Sequence, residues 1–137
     1  MLDFFHWLQQ RLSRPLPGKQ AQRRMIHVSR PKLSEAPPEA RKSAVLVLLH
    51  PQHTHPSVVL IQRTIDGSVH SGQIAFPGGR QEDYDIDFAD TALREANEEI
   101  ALERKGIGIL GQLTGLYIPV SNFVVYPVLA FAASQPL

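Results

Sequence analysis

The apolar positions of this chain follow two different rhythms, and the boundaries between them outline the expected elements. Near the start, Phe4, Leu8 and Leu12 recur at helical spacing with Phe5 beside them, which predicts a short amphipathic helix over residues 3–14. Pro15, Pro17 and Gly18 end it. Residues 19–42 contain Pro31, Pro37 and Pro38 and no periodic pattern, so they read as a linker or irregular wrap. Ala44 to Leu49 is an unbroken apolar run, the mark of a strand buried on both faces. Residues 51–56, bounded by Pro51 and Pro56, read as a turn. A second strand follows over 57–63, centred on Val58-Val59-Leu60-Ile61. Gln73 to Phe76 reads as a short strand running into a Gly78-Gly79 turn. Helical spacing returns from Asp87 to about Leu102, with Asp87 as N-cap and Asp90 in the first turn, where acids suit the helix dipole. Residues 107–113 and 123–131 read as later strands. Strands, one long helix and more strands predict an α/β (α+β) sandwich around a mixed sheet.

The long helix has two characters. Ala89, Leu93, Ala96 and Ile100 fall on one face and predict packing on the sheet. Glu95, Glu98 and Glu99 stand at i, i+3 and i+4 and share another. Like charges at i,i+4 cost a few tenths of a kcal/mol per pair, so the cluster works against the helix unless something neutralises it. Clustered carboxylate oxygens are what Mg²⁺ or Mn²⁺ prefer; a merely solvated acidic face is the plainer alternative. The Gly-Gly segment ahead of the helix favours the metal reading. Glycine lets backbone N–H and C=O groups approach a ligand closely.

Composition and charge narrow the function. The chain has 137 residues, enough for one domain, and no cysteine, which excludes a disulfide framework and any thiolate chemistry. Residues 1–42 carry nine of the 14 Lys and Arg against three acids. Residues 43–137 carry five basic residues against ten acidic ones. The domain is therefore expected from about residue 43, preceded by a basic, loosely held arm that could touch anionic lipid or nucleic acid. An acidic domain is a poor nucleic-acid binder, and no apolar run is long enough to span a bilayer. The start of the chain, with Asp3 in place of a basic region, is no secretory signal. A soluble cytoplasmic protein, with neither nucleic-acid nor membrane partner, is the expectation. Two further signals are weak. Asp83, Asp85 and Asp87 are spaced like an EF-hand start, but Phe88 and Arg94 occupy its glycine and glutamate positions. His53 and His55 lack a third ligand for zinc.

Taken together, Gly79 and Arg94-Glu95-Ala96-Asn97-Glu98-Glu99, with Leu102 after them, resemble the Nudix box, G-x5-E-x7-R-E-U-x-E-E-x-G-U with U aliphatic. The loop is one residue longer here, Glu82, Asp83 and Asp85 crowd the place of the loop glutamate, and Ala101 replaces the late glycine. Leu60 to Thr64 and His70 to Gly79 also look like the signature of coenzyme A diphosphatases, with Ser68 where that subfamily has arginine. The resemblance covers about residues 44–131. It implies a Nudix-type α/β/α sandwich and hydrolysis of a nucleoside diphosphate linked to another moiety. Glu95 and Glu99 would be the principal Mg²⁺ or Mn²⁺ ligands, helped by Glu98 and by glycine-loop carbonyls. Arg94 would orient a glutamate, and a glutamate of the cluster or a later acid would be general base. The substrate residues would be Arg63, His70, Gly72, Gln73, Gly78 and Gly79. Arg63 could instead pair with an acid of the box, and His70 could hydrogen-bond within its loop.

Coenzyme A or an acyl-coenzyme A is the substrate this implies. NADH, ADP-ribose or a nucleoside triphosphate is the alternative that Ser68 favours, and a non-catalytic nucleotide-binding module is a third reading. The family continues beyond the equivalent of Phe131 with more strand and a second helix on the other sheet face. The resemblance therefore implies a C-terminally incomplete domain, or a sheet covered by something else such as a second copy of the chain.

Overall fold

A computed structural model describes residues 2–26, 35–65, 72–134 and 136. Its elements are α1 (Leu2–Leu12), α2 (Gly18–Arg24), β1 (Arg41–Gln52), β2 (His55–Val58), β3 (Ile61–Gln62), β4 (Ile74–Ala75), β5 (Gly78–Arg80), α3 (Phe88–Ile100), β6 (Ile107–Gln112), β7 (Leu116–Ile118) and β8 (Phe123–Ala132). The main sheet runs β2-β1-β8-β6, with β5 also paired to β1 and β7 to β8. Among the described residues only β1 and β8 are parallel; the other ladders are antiparallel, so the sheet is mixed. β3 and β4 form a separate two-stranded ladder.

The apolar run of β1 is buried on both faces, as its composition predicts, but unequally. Ala44, Leu46 and Leu48 are fully buried against α3, together with Val128, Ala130 and Ala132 of β8. From the helix, Ala92 and Ala96 are buried in the same cluster, with Ala89, Leu93 and Ile100 packed around them. Small residues at 92 and 96 let the helix axis sit close to the sheet. The odd positions Val47 and Leu49 face the other way and meet Leu8 and Leu12 of α1. There Phe5 is 3% exposed and stacks on Phe131 with ring centroids 5.0 Å apart. The second sheet face is thus covered from within the same chain. The expectation of a loosely held arm is corrected: Phe5, Leu8 and Leu12 of α1 outweigh the charge around them.

Other expectations are also corrected. Residues 51–56 are not a turn, because the β1–β2 ladder continues through Pro51↔Pro56 to Gln52↔His55, leaving only His53 and Thr54 to reverse the chain. The single strand expected over 57–63 is two pieces, β2 and β3, which pair with different partners. The 19–42 stretch contains α2, whose Gln22 side chain donates to the carbonyls of Thr114 and Gly115 at 3.0 and 3.4 Å. Gly78-Gly79 is a strand rather than a turn, pairing Val45↔Gly78 and Ala44↔Gly79. Gly78 permits this pairing, since a Cβ there would lie 2.3 Å from the Ala44 carbonyl oxygen.

Candidate active site

The site is built where α3 crosses β5. Asp87 caps the helix, its side chain accepting from Asp90 N–H at 2.8 Å. Arg104, beyond the far end of α3, pairs with Asp90, and its guanidinium holds that carboxyl below the usual carboxylate range. At that far end, Ala101 takes the left-handed conformation (φ 54°) at the position where the box has glycine. Its N–H reaches Asn97 C=O at 2.9 Å, and Asn97 Nδ2 donates to Leu102 C=O at 3.0 Å, so the helix ends on schedule without the glycine.

Arg94 organises the carboxylate face. Its Nε and Nη2 donate to the two oxygens of Asp85 at 3.0 Å each, a bidentate pair. Nη2 also donates to Arg80 C=O at 2.8 Å, and Nη1 to Glu95 Oε1 at 2.8 Å and Glu98 Oε1 at 3.2 Å. These five bonds equal the five N–H groups a guanidinium offers, so Arg94 has none to spare for a ligand. Asp85 is 1% exposed in its side chain and also accepts from Glu82 N–H at 2.9 Å and Thr91 Oγ1 at 3.0 Å. Arg94 above all holds its carboxyl down, to about 2 from 3.8, against a burial effect that opposes the shift. Arg94 is correspondingly raised, mainly by Asp85.

The remaining carboxylates lean on the glycines. A Cβ at Gly79 would lie 2.4 to 2.6 Å from the Glu95 carboxylate, so that group occupies the space a side chain would fill. Gly78 N–H donates to Glu99 Oε2 at 2.9 Å. Partial burial first, and then the charges of Glu95 and Glu98, push the Glu99 carboxyl up, while the Gly78 N–H and Arg63 work the other way. Thus Arg94, Glu95, Glu98, Glu99, Gly78 and Gly79 form one cluster, and Arg63 is within electrostatic reach. Gly72 and Gln73 lie beside Arg63 at the β3–β4 end: Arg63 N–H donates to Gln73 C=O at 3.0 Å, and Gly72 takes a positive φ of 70°. His70 and Ser68 lie outside the described residues. The buried anchor Asp85 is the residue that sequence reasoning did not single out. It lies among the loop acids Glu82, Asp83 and Asp85, and spacing alone does not separate them.

The sequence profile of the family described as NUDIX domain matches residues 40–132. The chain belongs to the NUDIX domain family. It is 41% identical over 99 residues to a protein of Pectobacterium atrosepticum named "Uncharacterized Nudix hydrolase NudL", a match covering 71% of this chain and 50% of the relative. A Shigella flexneri protein of the same name is 34% identical over 112 residues, covering 77% of this chain and 58% of the relative. The chain thus spans about half the length of the curated relatives it matches. Among solved structures, the Nudix hydrolase RenU of M. smegmatis superposes with a TM-score of 0.60 at 21% identity, covering 70% of this chain and 63% of that one. The C. elegans Ap4A hydrolase gives 0.59 at 19%, covering 70% of each. These confirm a Nudix fold. No helix among the described residues is long and apolar enough to cross a membrane.

The donor set suits the divalent cation that the NUDIX family implies. Every candidate ligand is a carboxylate or backbone oxygen, the hard donors Mg²⁺ and Mn²⁺ select. Glu99 carries repulsion from two neighbours that a cation would relieve. Among the described residues no three acidic or imidazole groups close around one point. Mg²⁺ does not need such a cage, because it is usually held by one or two carboxylates, waters and substrate phosphates.

Proposed function

We propose that this NUDIX domain hydrolyses the diphosphate linkage of a nucleoside diphosphate joined to another moiety, and that coenzyme A or an acyl-coenzyme A is the substrate. The observation that carries the reading is the α3 carboxylate face set against a glycine strand and locked by a fully engaged arginine. Glu95, Glu98 and Glu99 would hold Mg²⁺ or Mn²⁺. When bound, the ion supplies charge neutralisation for the diphosphate and a lowered pKa for water. Arg94, with its N–H groups engaged by protein acceptors, fixes the rotamers of Glu95 and Glu98 and does not touch substrate. One glutamate of the face takes the proton of the attacking water. Arg63, within electrostatic reach of Glu99, would offer a cation to a diphosphate oxygen. Gly78 and Gly79 would let the backbone and the Glu95 and Glu99 carboxylates approach the diphosphate closely. The coenzyme A assignment draws on the sequence of the Leu60–Thr64 and His70–Gly79 segments, and its products would be 3′,5′-phosphorylated adenosine and phosphopantetheine.

The test is hydrolysis of coenzyme A, acetyl-coenzyme A, NADH, ADP-ribose and dGTP with Mg²⁺ or Mn²⁺, for wild type and Glu99→Gln. Cleavage confined to the coenzyme A compounds and lost in the variant is the expected result. Cleavage of another compound would keep the chemistry and discard the substrate assignment. Binding without turnover would mark a nucleotide-binding module.

A further inference from the structure

The outer flank of α1 carries two large aromatic side chains that the fold leaves uncovered. Trp7 is 58% exposed and Phe4 is 37% exposed, three residues apart on one helical stripe, with ring centroids 6.0 Å apart in a stacked arrangement. The neighbouring stripe, Phe5, Leu8 and Leu12, is already spent on the sheet. The helix is seated firmly there, since Leu12 Cβ lies 3.0 Å from where a Cβ on Gly111 would be. Phe4 also packs edge-on against Phe5, with ring centroids 5.5 Å apart, while Trp7 stacks only on Phe4, and together they expose apolar surface that water disfavours.

The segment that carries this pair is strongly basic. Residues 2–26 hold five cations, Arg11, Arg14, Lys19, Arg23 and Arg24, against the single acid Asp3. Lys19 is paired with Glu35 at 3.3 Å. Arg14, Arg23 and Arg24 are exposed and make no ion pair among the described residues. The cations of α2 are rigidly presented, because Gln22 ties that helix to the carbonyls of Thr114 and Gly115.

We propose that the Phe4–Trp7 flank of α1, with the exposed Arg14, Arg23 and Arg24, is a docking surface for an anionic phospholipid bilayer. Aromatic side chains beside basic ones, on a helix lying flat on its domain, match the requirements of the headgroup boundary: rings enter the acyl edge while guanidinium groups meet phosphates. Lying on a bilayer needs no spanning segment, so the absence of one among the described residues is no obstacle. Nucleic acid fits less well. The two rings stack on each other, whereas single-strand binding requires ring faces free for bases.

Trp7 is the chain's single tryptophan, so its fluorescence reports this surface directly. The experiment adds phosphatidylcholine vesicles, with or without phosphatidylglycerol, to the protein and records tryptophan emission and co-sedimentation. A blue shift and sedimentation with the anionic vesicles only, both reversed by salt, are expected. Arg23→Glu with Arg24→Glu should weaken partitioning at least tenfold, since each lost cation is worth about fivefold near an anionic surface. Trp7→Ala should weaken sedimentation, and both variants should keep wild-type urea midpoints because the altered side chains are exposed. No emission change with anionic vesicles overturns the proposal. So does a blue shift produced instead by a DNA oligonucleotide, or by raising protein concentration without lipid, which would assign the surface to nucleic acid or to a second copy.

Discussion

Replacing Asp85 by Asn keeps the shape of the buried anchor and removes its charge, and the cost can be worked from the structure. The carboxyl is held at about 2 in the folded protein against 3.8 in the unfolded chain. That gap of nearly two units makes the ionised form worth about 2 kcal/mol at neutral pH. Asn also turns an N–H toward the Arg94 guanidinium or the Thr91 hydroxyl, leaving a buried donor badly matched. The total loss is therefore expected to be about 3 kcal/mol. The sign of the pH dependence follows from the depressed folded pKa. The stabilisation is complete above about pH 5, shrinks as pH falls through 3.8, and is gone once pH passes below 2. Urea unfolding of wild type and Asp85→Asn, followed by circular dichroism at pH 7, 5 and 3, measures it. The difference between the two proteins should be equal at pH 7 and 5 and smaller by about 1 kcal/mol at pH 3. A difference that does not change with pH, or one below about 0.5 kcal/mol at pH 7, would refute the role assigned to the Asp85–Arg94 pair.

Gly79→Ala places a methyl group against the flexible Glu95 carboxylate, so it should lower turnover about 100-fold while shifting the urea midpoint little. Gly78→Ala meets the Ala44 and Val45 backbone instead and should destabilise the fold by about 3 kcal/mol in the same urea experiment. Ala101→Gly should stabilise by about 1 kcal/mol, because the left-handed conformation costs alanine and not glycine; thermal unfolding would register this as a higher midpoint. Phe5→Ala should cost about 3 kcal/mol, and a smaller loss would mean that α1 is not part of the cooperative core.

The sequence disclosed most where one residue type had one physical use. The Ala44–Leu49 run gave a two-face-buried strand, and the Glu95, Glu98 and Glu99 spacing gave a carboxylate face, because both follow from local period alone. Ala92 escaped notice because alanine carries too little apolar weight to mark a buried stripe, though its smallness is why it is buried. The Gly78-Gly79 pair read as a turn because glycine signals both reversal and close approach, and only the Ala44 carbonyl decides between them. Asp85 was one of three candidate acids in the loop; what distinguishes it is the direction from which Arg94 arrives. The placement of α1 was illegible for a similar reason. Its apolar stripe was plain, but the face it covers is assembled from β1, about 40 residues later, and from β6 and β8, about a hundred or more residues later.

The parallel pairing of β1 with β8 sets an order of events for a chain emerging from a ribosome. Arg41 pairs with Phe123 and Leu49 with Phe131, so the two central strands are separated by about 80 residues. At ordinary rates of synthesis, the N-terminal strand waits roughly 4 to 16 s for its partner. During that time Ala44 to Leu49 is an apolar β-forming segment whose eventual neighbour on that edge does not yet exist. Closing so long a loop costs about 4 kcal/mol before any contact across it is made. The α1 helix can meet Val47 and Leu49 earlier, but its buried anchor Phe5 stacks on Phe131 of the same late strand. Both faces of the sheet therefore become complete in one step, when β8 slides between β1 and β6. Until then the β1–β2 ladder pairs only Leu49 to Gln52 and β5 only Ser43 to Val45, so much of that segment keeps an open edge.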